Sequence, residues 1–232
     1  MSAERGSGRI EVVVVRSEEE RRAALAVVDE VFREEKGWIA ASERELPSDP
    51  AGSAKVCWLL ARAPGESGAE PVGVLRLVFD PSFELPESLG VKLESGVDLQ
   101  ALARSGRHAE VGRMMVRRLW RTRPRVVIEL MRAALGVALD RGASHLLTAV
   151  FEGERHSPLD FHVRQLGFER IGSHERGELL CPNRRILLRL DLHRAFERLG
   201  RRRGVAAEVA RGLEARLGKG GGGGGGAVAA VA

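Results

Sequence analysis

Ala109-Glu110-Val111-Gly112-Arg113-Met114-Met115-Val116 is the stretch whose reading decides the fold. It reads as a strand over 110–116, with a carboxylate and a guanidinium set among apolar neighbours. An ideal pleat puts residues three apart on opposite faces, which would separate Glu110 from Arg113. Gly112 between them permits a bulge that brings both to one site. Arg76 lies in Val74-Leu75-Arg76-Leu77-Val78 and alternates with apolar residues on a second strand. An arginine on an apolar face needs an acidic partner, and Glu110 on the adjacent strand is the candidate.

The elements around this strand follow from local signals. Residues 10–15 are a β-branched strand. Ser17 caps a helix over 18–35 with Glu18, Glu19 and Glu20 in its first turn. Leu25, Val28, Val31 and Phe32 form its apolar stripe, and Gly37 ends it. Residues 56–63 and 72–79 read as a hairpin around a turn-rich 64–71. Asp98 caps a short helix that ends near Gly106. Pro124 opens a long helix to 141, striped by Val127, Leu130, Ala134, Leu135 and Ala138, and Gly142 stops it. Residues 145–151 are a strand. Ser157, Pro158 and Asp160 fit a capped helix start, Gly167 ends that helix, and 168–171 and 186–192 are the last strands. This order predicts an α/β (α+β) domain: one mixed, mainly antiparallel twisted sheet with helices on both faces.

Composition narrows the class. The chain has 232 residues, 44% hydrophobic and 30% charged, typical of a globular protein. No run approaches the roughly 20 apolar residues of a membrane span, and residues 1–10 lack the apolar core of a signal peptide. A cytoplasmic location is expected. Cys57 and Cys181 stand apart with no metal-ligand spacing, so both read as small buried hydrophobes, and no metal site is expected. Arg194 and Lys219 bound a segment with eight basic and three acidic residues, which holds the entire formal charge of +5. The domain itself therefore gives no reason to bind nucleic acid. We expect a domain over 1–193, a basic helical appendage over 194–219, and a disordered Gly/Ala-rich tail over 220–232. The appendage suits an acidic carrier protein or a membrane surface, or is a solvated helix.

Four motifs carry a resemblance. Val31-Phe32-Arg33-Glu34-Glu35-Lys36-Gly37-Trp38, Pro71-Val72-Gly73-Val74-Leu75-Arg76-Leu77, the Glu110-x-x-Arg113 strand and Leu166-Gly167-Phe168-Glu169-Arg170-Ile171-Gly172 occur in order over 16–192. Together they resemble the GNAT acyltransferases, in particular bacterial N-acyl amino acid synthases and N-acyl-homoserine-lactone (autoinducer) synthases. The resemblance implies transfer of an acyl group from an acyl-carrier-protein or acyl-CoA thioester to a small amine, with CoA or phosphopantetheine as co-substrate and no permanently bound cofactor. It also implies a bulged strand that splays from its neighbour to admit the pantetheine arm. Phe32, Trp38 and Asp49 fall where the family lines the acceptor side.

The chain departs from the family in four places. Val28 stands where autoinducer synthases carry an Arg, and Leu46 replaces one of two loop acids, which favours an amino-acid acceptor over adenosylmethionine. Arg117-Arg118-Leu119-Trp120-Arg121-Thr122-Arg123 has no glycine where acetyl-CoA enzymes keep a Gly-rich pyrophosphate loop. The chain also contains no Tyr to protonate a leaving thiolate.

Acyl transfer to an amine needs a neutral nucleophile, a thioester held beside it and oxyanion stabilisation. Glu110 is the general-base candidate, acting through a water, and burial among apolar residues would strengthen it as a base. It equally fits a structural ion pair with Arg76 or Arg113. The backbone of the bulge would supply oxyanion donors. Val116, Arg117, Arg118, Arg121 and Arg123 precede a helix N-terminus and would clamp phosphate, or else form a solvated basic turn. Phe32 serves equally as core. His108 is a second acid/base candidate. Ser157 and Asp160 are explained by helix capping, so a hydrolase reading with His156 is set aside. The same residues leave open an acetyl-CoA-dependent N-acetyltransferase, an autoinducer synthase and a non-catalytic GNAT-like binding protein.

Overall fold

The computed structural model describes residues 9–39, 54–65, 68–84, 87–154, 157–176, 179–199 and 204–217. Asp49, Leu46, His156 and the tail over 220–232 lie outside them.

β1 (Glu11–Val14) leads into α1 (Glu18–Val28) through the cap expected at Ser17, which the structure completes as a capping box: its side chain accepts from the Glu20 N–H, and the Glu20 carboxylate accepts from the Ser17 N–H. The helix widens into a π-helical turn over Asp29–Glu35, where an unbroken α-helix was expected. Bonds to carbonyls five and six residues back, Lys36 to Val31 and Trp38 to Phe32, close this end of the helix, and the wider turn packs the Phe32 ring 5.3 Å from Trp38. β2 (Val56–Gly65) and β3 (Gly68–Phe79) form a longer antiparallel pair than expected. β4 (Lys92–Leu93) is a two-residue strand that no local signal announced. α2 (Leu99–Arg104) carries the expected Asp98 cap. β5 (His108–Val116), α3 (Pro124–Asp140) and β6 (His145–Phe151) follow. Then come a π-helical turn over Phe161–Leu166, β7 (Glu169–His174), β8 (Arg185–Asp191), α4 (Leu192–Leu199), α5 (Val205–Ala210) and α6 (Glu214–Leu217).

All eight strands join one sheet in the order β1-β2-β3-β5-β6-β8-β7-β4. Every described pair is antiparallel except β5 with β6. The expected mixed, mainly antiparallel sheet with a helical layer on each face is what the chain forms. Strand alternation divides the core in two. Leu59, Ala61, Leu75 and Leu77 pack with α3, whereas Leu60 and Val74 pack with α1. Cys57 is buried in the α3-side core and Cys181 in the α1-side core.

Two local expectations change. Ser157 accepts only a long 3.4 Å bond from the Leu159 N–H and donates at 2.6 Å to the Phe151 carbonyl, tying the turn to β6. Asp160 pairs with Arg164, 3.4 Å away and four residues on, and caps nothing. The segment read as an appendage beyond 194 also contributes to the main core. Ala206, Val209, Ala210 and Leu213 are buried there, and Arg132 holds the Glu208 carbonyl through two donors.

Candidate active site

β5 and β6 pair in parallel only at His108↔His145, Ala109↔Leu146 and Glu110↔Leu147. Beyond that rung β5 continues along β3 to Val116, and β6 continues along β8 to Phe151. The two strands therefore part in the middle of the sheet. The edge of β5 that faces β6 has no ladder partner over 111–116 among the described residues.

β5 also carries a bulge. Arg76 pairs with Gly112 and Val74 with Met115, so Arg113 and Met114 together oppose Leu75. Arg113 absorbs the kink at φ +48°, in the left-handed region a non-glycine residue rarely occupies. The extra residue re-phases the strand. Ala109 and Val111 face the α3-side core before it, and Met114 and Val116 face that core after it.

Gly112 was expected to bend the strand, but its role is spatial. A Cβ there would lie 3.3 Å from Glu110 Oε1 and 3.5 Å from Arg76 Nη2. Arg76 donates to Glu110 at 3.3 Å directly over that space. The Arg76 side chain is 7% exposed and that of Glu110 is 39% exposed. Glu110 is thus less buried than its apolar neighbours suggest, because it sits at the rung where the strands begin to separate. Arg113 is buried and lines the cleft.

The parting strands enclose a cleft of about 490 Å³. One wall is Val111 to Val116 and the other is Thr148 to Phe151. The cleft reaches both faces of the sheet. On the α1 side it meets Phe32 and Trp38, and Trp38 packs 4.5 Å from Phe151. Lys36 and Glu154 form an ion pair at this rim. On the α3 side it meets Pro124, Val127 and Ile128, then Phe161, His162 and Val205. His162 is fully enclosed; burial pushes its pKa down, so the ring is neutral, and Nδ1 lies 2.8 Å from the Pro158 carbonyl.

The loop before α3 is more tied than expected. Arg117 pairs with Glu30 at 2.8 Å and Glu70 at 3.5 Å. Arg121 lines the cleft, donates to the Val116 carbonyl at 2.8 Å and grips both oxygens of Glu35 at 2.5 Å. The Arg121 guanidinium holds the Glu35 carboxyl below its ordinary pKa. Arg123 stacks over Trp120, and Arg118 is exposed. Carboxylates more than 40 positions away in sequence thus hold two of the four arginines expected at phosphate.

His108 lies apart from the cleft. It stacks 4.9 Å from His145, meets Phe83 edge-on and borders a separate cavity of about 320 Å³. Burial lowers its pKa. Val28, where autoinducer synthases have Arg, is buried in the α1-side core. Sequence reasoning missed Thr148, His162 and Val205 as lining residues. The first two sit on elements whose outward signals were strand alternation and capping, and the third sits in a run dominated by charge.

A parallel β5–β6 pair that opens after three rungs, the bulge on β5 and a helix on each face give the chain a GNAT-like fold. Particular solved structures share it. FeeM, an N-acyl amino acid synthase from uncultured soil microbes, matches with a TM-score of 0.58 and 20% identity, over 82% of this chain and 96% of that one. TofI, solved as a ternary complex with an inhibitor and MTA, matches with a TM-score of 0.51 and 22% identity, over 78% and 91%. Arabidopsis thaliana NAA60 in complex with acetyl-CoA matches at 0.52 and 12% identity, over 80% and 99%. No protein-family model and no curated protein matches the sequence.

Proposed function

We propose that the chain is an N-acyltransferase that moves an acyl group from an acyl-carrier-protein or acyl-CoA thioester to the amine of an amino acid or related small acceptor. The parting of β5 from β6 after Glu110 carries this reading. It leaves an apolar slot through the sheet with unpaired strand edge along one wall, where a thioester arm can lie with its carbonyl oxygen against backbone N–H groups.

In this reading the amine nitrogen attacks the thioester carbonyl carbon. The oxyanion that forms is held by β5 backbone donors beside the Arg113 bulge. Glu110, positioned by Arg76, takes the nitrogen's proton through a water. The C–S bond breaks, the amide remains, and the thiolate leaves and takes up, through water, the proton that Glu110 removed from the nitrogen, giving the free thiol. Arg118, Arg123 and the α3 N-terminus face the phosphate of the donor. Arg117 and Arg121 act mainly by fixing the loop to α1 and β3. Phe32 and Trp38 border the acceptor. FeeM, described as an N-acyl amino acid synthase, supports this acceptor class, and NAA60, solved with acetyl-CoA, supports a CoA thioester as donor.

No described helix is long and apolar enough to cross a membrane. Acyl thioesters are cytoplasmic metabolites, and the reading carries that location with it. The arginines from Arg194 onward suit contact with an acidic carrier protein or an anionic membrane surface.

The test is to express the protein in a bacterium and profile extracted lipids by mass spectrometry, with Glu110→Gln in parallel. New acylated amines with the wild type, absent with the variant, support the reading. A folded wild-type protein that yields none contradicts it.

A further inference from the structure

The cleft has two chemically different ends. At the α1 side its rim carries Lys36, Glu154 and Arg121. At the α3 side the walls are Val127, Ile128, Phe161 and Val205, with a neutral His162 behind them. Three of these four apolar side chains belong to the two elements that flank the cleft in the chain fold, α3 and the π-helical turn. The fourth belongs to α5, which the chain brings back after completing the sheet.

α5 is anchored where it lies. Ala206, Val209 and Ala210 are buried against the main core. Arg132 of α3 donates from Nε to the Glu208 carbonyl at 3.0 Å and from Nη2 at 2.5 Å. Arg216 Nη1 pairs with Asp140 at 2.8 Å and would lie 3.0 Å from a Cβ at Gly136, so α6 sits flush on α3. α5 also touches the π-helical turn that contains Phe161 and His162. The C-terminal segment thus bridges α3 and that turn, and Val205, only partly buried, is the side chain it presents to the cleft.

We infer that Val205 is the end wall of the acyl chamber and sets the longest acyl chain the enzyme accepts; this rests on the acyltransferase reading above. An apolar acyl chain lying in the cleft on its α3 side runs along Val127, Ile128 and Phe161 toward Val205. Each methylene it buries strengthens binding by about fourfold, until the wall is reached. A larger side chain at 205 removes the last positions, and a smaller one adds space without disturbing Glu110 or the bulge.

The experiment uses the full chain and two variants, Val205→Ala and Val205→Trp. The affinity of each for a series from butanoyl-CoA to hexadecanoyl-CoA is measured by calorimetry, alongside the acyl-length distribution of the acylated amines made in cells. Melting curves confirm that each variant folds. Val205→Trp should shift the optimum to shorter chains, with at least a tenfold loss for the longest chain the wild type binds and little change for butanoyl. Val205→Ala should shift it the other way. If Val205→Trp does not fold, Val205→Ala alone decides by the direction of its shift. A wild type that transfers acyl groups, with an optimum unmoved in the folded variants, overturns this inference and leaves the acyltransferase reading standing. A folded wild type that neither binds nor transfers any of the series overturns both.

Discussion

Glu110 Oε1 and Arg76 Nη2 meet at 3.3 Å across the space a side chain at position 112 would occupy. One partner is nearly enclosed, and the other reaches solvent at the point where two strands separate. A carboxylate held this way is oriented yet open to a water, as a general base requires. Glu110→Gln should lower kcat by about a hundredfold or more with little change in donor KM. Gly112→Ala keeps both charges but crowds the contact, and Glu110 is exposed enough to yield. It should fold with a near-wild-type melting temperature and lose activity. Activity assays with melting curves check both, and unimpaired turnover in Glu110→Gln removes Glu110 from the chemistry.

Arg121 joins the loop before α3 to the π-helical end of α1 through Glu35 and to β5 through the Val116 carbonyl. Arg121→Ala should cost about 1.5–3 kcal/mol of stability, the scale of a lost hydrogen bond to a charged group, and raise donor KM as the loop loosens. The same contact has a pH signature. Arg121 lowers the Glu35 pKa from its ordinary 4.5, so its stabilisation is complete above that pH and is lost as pH falls through the depressed value. The melting-temperature gap between wild type and Arg121→Ala should hold steady from neutral pH to about 4.5 and narrow below it. A gap that widens in acid contradicts this assignment.

Four described histidines shift in one direction. Burial, as the largest cause, lowers the pKa of His108, His145, His162 and His174. His145 falls from 6.5 to about 4, driven by desolvation and then by the nearby Arg189. The unfolded chain binds these protons before the folded one does. Stability is therefore complete above pH 6.5 and declines as pH falls toward 4. His145 accounts for roughly 3 kcal/mol of that decline. Urea melts between these pH values should show the slope, and His145→Gln should flatten it in part. A slope unchanged in the variant would place the protonation elsewhere.

Gly73 on β3 faces α3 at close range. An added Cβ would lie 2.9 Å from the Met115 carbonyl oxygen and 3.2 Å from both Leu130 Cδ1 and Val126 Cγ1. The carbonyl belongs to the bulged strand and cannot retreat without disturbing the site. Gly73→Ala should cost about 1–3 kcal/mol, the range for overpacking, and should reduce activity through Met115's neighbours on β5. Chemical denaturation measures the first effect. A variant as stable as wild type would mean that α3 moves away freely.

Signals carried within a few residues determined much of this protein from the sequence alone. The Ser17 cap, the Asp98 cap, the stops at Gly37, Gly142 and Gly167, and the period-two strands all depend on neighbours in the chain. Gly112 marked β5 as a strand that could bulge, but only the fold shows that the side chains facing α3 shift from Ala109 and Val111 to Met114 and Val116, one residue out of phase. Tertiary structure alone decided which residue takes the kink. The left-handed φ falls on Arg113, while Gly112 leaves room beside the contact between Glu110 and Arg76. It likewise decided that Glu30, Glu35 and Glu70 occupy Arg117 and Arg121, and that an arginine-rich C-terminal segment turns Val205 into a wall of the cleft. Those contacts join residues tens of positions apart, and charge patterning within a segment carries no record of a partner brought to it by the fold.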